Sequence, residues 1–408
     1  MGKATTYGVV IVGAGHAGAG LACELHQLGY AGRVLLVSDE ARPPYARPAL
    51  SKACLSGNAT LESLLFRKAD FWMEAGIDLA LGCKVDRLDA QRREAMLSDG
   101  RRIAFDWCVL ATGGRAKTLS CPGSGLTGTF ALRNFADMEG LRDALTTARN
   151  VVVIGGGYMG LEVAASVRTM GKAVSLVETQ QRVLSRVTST AVSRFFEAAH
   201  RRNGVQLHLG QAVAEIKGRG KVEAVLLDDG TRIAADVVVV GIGIEAETSL
   251  AEQAGIACHE GVLVDSRFCS SAEGVLAIGD CARHPNDFAG GLWRLESVQH
   301  AQDSAVVAAH TILGEGAIYH DVPTFWSEQY DLRMQSAGIA KDAEDIVVRG
   351  DLDRGPFSIL YLRDGRMIAI DTVNNSRDFL CARKLIGARA PIDRTRAGDL
   401  SVPLKAFA

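Results

Sequence analysis

No stretch of this sequence stays apolar for the ~18–20 residues that a bilayer-spanning helix needs. Its apolar runs are short and are broken by glycines, so no membrane span is expected. Nine cysteines, at positions 23, 54, 83, 108, 121, 258, 269, 281 and 381, form no Cys-x-x-Cys pair and no zinc-type spacing. Several lie inside apolar runs, Cys23 in a helical pattern and Cys108 in a strand, where a reduced thiol behaves as a small hydrophobe. A reducing, cytoplasmic compartment is expected, and no metal centre. An excess of one charge is also missing. The net charge is −2, which argues against a general nucleic-acid binder. A strand pattern starts within ten residues of the N-terminus and leaves no room for a signal peptide. Met1-Gly2 with Thr6 fits the outline of a myristoylation site, but the strand follows at once and an unmodified start is expected.

What is present is an ordinary globular composition, 48% hydrophobic and 23% charged over 408 residues, enough for two or three domains. The stretch that organises it is Val151–Val177, ending at Glu178. Val151-Val-Val-Ile154 reads as a buried parallel strand, and Gly155-Gly-Gly-Tyr-Met-Gly160 supplies G-x-G-x-x-G directly after it. Gly155 permits the tight turn, Gly157 lets the backbone approach a pyrophosphate, and Gly160 lets helix and strand pack closely. The helix N-terminus then offers N–H groups and positive dipole to the phosphates. Glu178, at the end of the next strand, is placed to accept from the ribose hydroxyls of an adenosine. A 2′-phosphate would be repelled there, and the nearest cation is Arg182, so NADH is expected over NADPH.

The fingerprint occurs twice. Val9-Val-Ile-Val12 leads into Gly13-Ala-Gly-His-Ala-Gly18, a helix to about Leu28, the strand Arg33–Val37 and the acids Asp39-Glu40. Asp99-Gly100 and Asp229-Gly230 each then mark a hairpin, followed by buried strands ending at Gly113 and Gly243. Each unit is therefore a βαβ fold with an antiparallel insertion, and two nucleotides are expected. The first unit lacks a closing strand until Gly274–Asp280, whose Gly279-Asp280 falls at a strand's carboxyl end, where such sheets bind ligands. The expected fold is α/β, with two Rossmann-like dinucleotide-binding domains, one inserted in the other, and a C-terminal α+β domain. The first would span 1–113 and 241–318, the second 114–240, and the last 319–408, with a hairpin at Phe357–Val373 and a helix at Arg377–Gly387.

The series Gly-x-Gly-x-x-Gly, Pro44-Tyr-Ala-Arg-Pro-Ala-Leu-Ser-Lys52, Ala-Thr-Gly, Gly-Gly-Gly-x-x-Gly-x-Glu and Gly-Asp resembles the FAD-dependent ferredoxin reductases of bacterial oxygenase systems. These are glutathione reductase-type flavoproteins, and the likeness to those serving aromatic-ring dioxygenases runs over essentially the whole chain. It implies FAD in the first fold, NADH in the second, and a cap domain over the flavin. Gly13, Gly15 and Gly18 would then cradle the FAD pyrophosphate, and Asp39 or Glu40 its ribose. Arg47 would approach the FAD phosphates and Lys52 the flavin N5 region. Thr112 and Gly113 would line the FAD fold, and Asp280 would accept from the ribityl hydroxyls. Glu162 would face Lys52, and Trp326 would lie near the flavin ring. Tyr158 either stacks near the nicotinamide or packs on the sheet.

Disulfide-reducing relatives carry a Cys-x4-Cys pair after the first fold; here the same region holds Cys54 alone. Electrons would leave the flavin directly, one at a time. The implied acceptor is a two-iron two-sulfur (2Fe-2S) ferredoxin, with Arg377, Arg383, Lys384, Arg389, Arg394 and Arg396 as a basic patch that would speed encounter or an ordinary solvated face. Alternatives are a rubredoxin, the ferredoxin of a haem monooxygenase, an NADH oxidase or peroxidase using Cys54, and a slow flavoprotein sensor. A monomer or weak homodimer is expected.

Overall fold

The computed structural model describes residues 4–407; Met1 and Gly2 of the myristoylation outline lie outside them. The chain forms two compact units. One comprises the residues up to Ala46, Leu61–Arg115 and Glu245–Thr324, the other Arg47–Thr60, Ala116–Ile244 and the chain from Phe325 on.

In the first unit Thr5–Val12 pairs in parallel with Val34–Ser38 on one side and Arg102–Leu110 on the other. Val9, Val10, Ile11, Leu36, Cys108 and Val109 are wholly buried, as expected for parallel strands that lose both faces to the core. Arg102–Leu110 has two partners along its other edge. Its first half runs antiparallel to Glu94–Leu97, through the turn at Asp99-Gly100. Its second half runs parallel to Val275–Ala277, with Val275 opposite Cys108. The closing strand expected late in the chain is therefore present, beside the strand that leads into Thr112-Gly113.

The second unit holds a parallel sheet in the order Val205–Leu209, Ala173–Glu178, Asn150–Ile154, Val237–Val240, Thr129–Ala131. Here the repeat is inexact. Arg232–Ala234 stays in an antiparallel sheet with Val213–Gly218 and Val222–Leu227, and Val237–Val240 is a separate strand. Asp236 makes the break, because its carboxylate accepts the N–H groups of Arg149 and Asn150, both at 2.8 Å. Asp106, its counterpart, lies within one continuous strand.

The C-terminal part is a five-stranded sheet, Thr324–Gln329, Leu332–Gly338, Arg366–Val373, Phe357–Arg363, Asp345–Gly350. The expected hairpin pairs Phe357 with Val373. The helix Ser376–Gly387 is N-capped by Asn375, whose side chain accepts the Asp378 N–H. The architecture is thus α/β, two Rossmann-like folds with one inserted in the other along the chain, followed by an α+β domain. Among the described residues no helix is long and apolar enough to cross a membrane.

Candidate dinucleotide sites and the Lys52–Glu162 pair

Both glycine turns are closed by the same backbone contacts. At Gly13, where φ is +110°, a Cβ would stand 2.2 Å from the Ala111 carbonyl oxygen, and at Gly18 one would stand 1.9 Å from that of Gly13. At Gly155, with φ +109°, the distance would be 2.3 Å to Gly241 O, and at Gly160 2.0 Å to Gly155 O. No side chain fits at these four places. The helices His16–Gln27 and Tyr158–Thr169 start at Gly15 and Gly157, and no side chain caps either. A Cβ on Gly157 would meet nothing within 4 Å, so its backbone faces open space. Uncapped N–H groups beside a bare backbone fit a dinucleotide pyrophosphate.

Glu178 does more than end its strand. Oε2 accepts the Gly156 N–H at 2.6 Å, and Oε1 accepts the Gln180 N–H at 2.8 Å, which braces the glycine turn. Arg182, the one cation considered for a 2′-phosphate, is committed to its own loop. Its guanidinium donates to the carbonyls of Thr188 and Ser185 and, at 2.6 Å, to Ser193 Oγ. In the first unit Glu40 accepts from Tyr45 OH at 2.6 Å, while Asp39 stays exposed at the strand end. Thr112 Oγ1 donates to the Glu247 carbonyl at 2.6 Å, which sets the Thr112-Gly113 turn. Asp280 sits in the turn Gly279–Cys281, and its carbonyl accepts from Arg294 at 3.1 Å.

Lys52 and Glu162 meet in the second unit. Lys52 Nζ is 2.9 Å from Glu162 Oε1, their side chains 19% and 9% exposed. The Ser51 hydroxyl donates to Oε2 and the Ser327 hydroxyl to Oε1, each at 2.7 Å. A carboxylate removed from water needs such partners. Arg47 donates to the Arg133 carbonyl at 2.8 Å. The Tyr158 ring stacks on Phe325, centroids 4.2 Å apart and planes 28° apart. Burial first, and then the Asp371 carboxylate, push the Tyr158 phenol far above its ordinary value. Alternation along Thr324–Gln329 puts Phe325, Ser327 and Gln329 on the face that meets Tyr158 and Glu162, and Trp326 on the other.

Cys54 is wholly buried, and burial pushes its thiol upward against the opposing pull of Arg142. All nine cysteines are free thiols. Of the basic patch, Arg394 is ion-paired with Asp345 and Arg396 lies 5.4 Å over the Phe407 ring; Arg377 and Lys384 are exposed. Sequence reasoning overlooked Ser51, Ser327 and Phe325. The signal for the last two was a polar residue alternating with aromatics on a strand, too common a pattern to single out.

Two nucleotide cradles on one chain, with no cysteine pair beside the buried lysine and carboxylate, define a two-dinucleotide-fold oxidoreductase. The sequence profile of the pyridine nucleotide-disulphide oxidoreductases matches residues 7–305, and that of the reductase C-terminal domain matches 324–408. This chain belongs to the pyridine nucleotide-disulphide oxidoreductase family, in its branch of ferredoxin reductases. It is 44% identical over 406 residues to a ferredoxin–NAD(P)+ reductase of Sphingomonas sp., covering 99% of this chain and 98% of that protein. It is 39% identical to the putidaredoxin reductase of Pseudomonas putida, covering 97% and 96%. The crystal structure of a covalent putidaredoxin reductase–putidaredoxin complex superposes with a TM-score of 0.95 at 38% identity, covering 99% of this chain and 98% of that one.

Proposed function

We propose that this chain is an NADH-dependent flavoprotein that passes electrons singly to a 2Fe-2S ferredoxin, which in turn supplies a multicomponent, aromatic-ring dioxygenase. The observation that carries this is the segment around Lys52, where disulfide-reducing relatives hold two cysteines: here its lysine pairs with the buried Glu162 of the helix Tyr158–Thr169. With Cys54 buried and alone, electrons have no dithiol to enter. The full-length similarity to ferredoxin reductases supports the same reading.

The cofactors are FAD and NAD(H). FAD, when bound, accepts a hydride and gives electrons up one at a time. Gly13, Gly15 and Gly18 would cradle its pyrophosphate at the start of the helix His16–Gln27, whose N-terminus no side chain caps, and Asp39 would hold its adenosine ribose. Thr112, Gly113 and Asp280 would line the remainder, and Arg47, Lys52 and Trp326 are the further residues that the resemblance assigns to FAD. FAD is assigned to residues 1–113 and 241–318. NADH is assigned to 114–240, where Gly155, Gly157 and Gly160 take its pyrophosphate, Glu178 its ribose and Tyr158 its nicotinamide end. The residues 319–408 form the cap domain. Lys52 and Glu162 orient and polarise, while positioning supplies most of the rate. The balance is NADH plus two oxidised ferredoxins giving NAD+, two reduced ferredoxins and one proton. The protein is placed in the cytoplasm as a monomer or weak homodimer.

The test is NADH-dependent cytochrome c reduction by the yellow protein, with and without an added 2Fe-2S ferredoxin, repeated with NADPH. Strong stimulation by ferredoxin and preference for NADH are expected. NADH consumption by oxygen or peroxide that ferredoxin leaves unchanged would overturn the reading.

A further inference from the structure

The carboxylate of Glu162 is the end of a longer chain of polar groups. Ser327 Oγ lies 2.7 Å from Glu162 Oε1, Gln329 Nε2 lies 3.2 Å from Ser327 Oγ, and His200 Nε2 lies 2.8 Å from Gln329 Oε1. Tyr330 OH then lies 3.1 Å from His200 Nδ1. Ser327 and Gln329 are 1% exposed and His200 is 0% exposed. Tyr330 is half-buried and borders a surface recess with Arg168 and Asn203.

The direction of every link follows from its end. A carboxylate only accepts, so Ser327 must give its single hydrogen to Glu162. Its oxygen is then the acceptor for Gln329, which turns the amide nitrogen toward Ser327 and the carbonyl toward His200. A carbonyl also only accepts, so His200 carries its proton on Nε2. Nδ1 is left bare, and Tyr330 donates to it. The imidazole is neutral in this arrangement, in keeping with burial, which pushes its pKa below the ordinary value. The Gln329 amide also makes the chain a poor proton conductor, because passing a proton through it needs an unfavourable imidic form. Its work is orientation.

Resting on the reading that Lys52 and Glu162 serve the redox step, we propose that Ser327, Gln329 and His200 are positioning residues for Glu162. They form a one-way hydrogen-bond chain, anchored at Tyr330, that fixes the carboxylate oxygen facing Lys52. Ser327 Oγ and Lys52 Nζ share Oε1, while Ser51 holds Oε2. Loss of the Ser327 hydroxyl therefore frees the side of the carboxylate that carries the lysine.

Two measurements on the FAD-loaded protein test this. Long-range nitrogen–proton NMR with labelled histidine, assigned through His200→Gln, is expected to show His200 as the Nε2–H tautomer. Ser327→Ala is expected to release that bias toward a tautomer mixture. In stopped flow, Ser327→Ala is expected to slow flavin reduction by NADH about tenfold, the equivalent of one hydrogen bond to a charged group. Its KM for NADH stays unchanged, and Ser327→Thr restores the rate. A wild-type His200 that is an imidazolium or an Nδ1–H tautomer overturns the proposal. So does a Ser327→Ala protein that only melts earlier while its reduction rate is kept. Neither readout uses ferredoxin, so a failed ferredoxin assay leaves this result standing, and the reverse also holds.

Discussion

Glu178 Oε2 accepts the backbone N–H of Gly156 at 2.6 Å, so the acid that ends one strand is tied to the glycine turn that opens the neighbouring helix. The coenzyme recognition proposed for Glu178 and the loop geometry would therefore share one carboxylate. Glu178→Gln is expected to lower kcat/KM for NADH about tenfold, mostly through KM, since one hydrogen bond to a charged group is lost. Glu178→Arg is expected to lose NADH without gaining NADPH in proportion, because the brace goes with the charge and Arg182 is already engaged. Steady-state rates with both coenzymes decide it; NADPH overtaking NADH in that single variant would show the brace to be dispensable.

Lys52→Met leaves the Glu162 carboxylate buried without its cation. Flavin reduction by NADH is expected to slow at least tenfold while the visible spectrum of bound FAD persists. Stability is expected to fall by about 2 kcal/mol, and Lys52→Met/Glu162→Leu to fall by less than the two single changes added together. Urea unfolding of the four proteins measures this. Additive losses would mean the two groups do not sense one another.

Cys54 is wholly buried with its thiol pushed upward, the reverse of a reactive cysteine. Cys54→Ala is expected to keep ferredoxin-dependent activity within about twofold, with only a packing loss of about 1 kcal/mol. Iodoacetamide is expected to leave Cys54 unmodified in the folded protein, which peptide mass mapping would reveal.

Arg349 is the staple of the C-terminal segment. Its side chain is 4% exposed, and it donates to Asp378 at 3.2 Å and to the carbonyls of Ala397, Asp399 and Val402. Arg349→Leu leaves the Asp378 carboxylate with only the neutral donors Ser358 and Asn375, removes a donor from three carbonyls, and is expected to cost about 3 kcal/mol. Limited proteolysis near residues 393–403 is expected to speed up sharply, and an unchanged cleavage pattern would refute the staple.

His300 is buried and stacked on His284, ring centroids 4.7 Å apart. Burial first, and then His284, push its pKa down to about 3. The folded state refuses a proton that the unfolded chain takes below about pH 6.5. Its contribution is therefore present above that pH and is lost as pH falls toward 3, at up to about 1.4 kcal/mol per pH unit. His300→Phe is expected to flatten the acid limb of stability measured by denaturant midpoints between pH 6.5 and 4. An unchanged slope would place the acid sensitivity elsewhere.

Much of this was legible in order along the chain. The two glycine turns, the apolar strands and the Asp-Gly hairpins depend on backbone sterics and on side-chain period, and both act over a few residues. The closing strand at Val275–Ala277 was legible because a parallel sheet needs a partner for Arg102–Leu110. The difference between the two repeats was not, since Asp106 and Asp236 are the same residue type. Only the contacts of Asp236 with Arg149 and Asn150 make one strand end where the other continues.

Two dinucleotide folds, their glycine turns and the absence of a dithiol were each written in a short local pattern of the sequence. Which groups surround the Lys52–Glu162 pair was decided by tertiary packing. Ser51, His200 and the strand that carries Ser327 and Gln329 come from three separate parts of the chain, and no spacing rule relates the three. It also engaged Arg182 within its own loop and gave Glu40 to Tyr45, because a charged group settles on whatever donors and acceptors packing brings within hydrogen-bond reach.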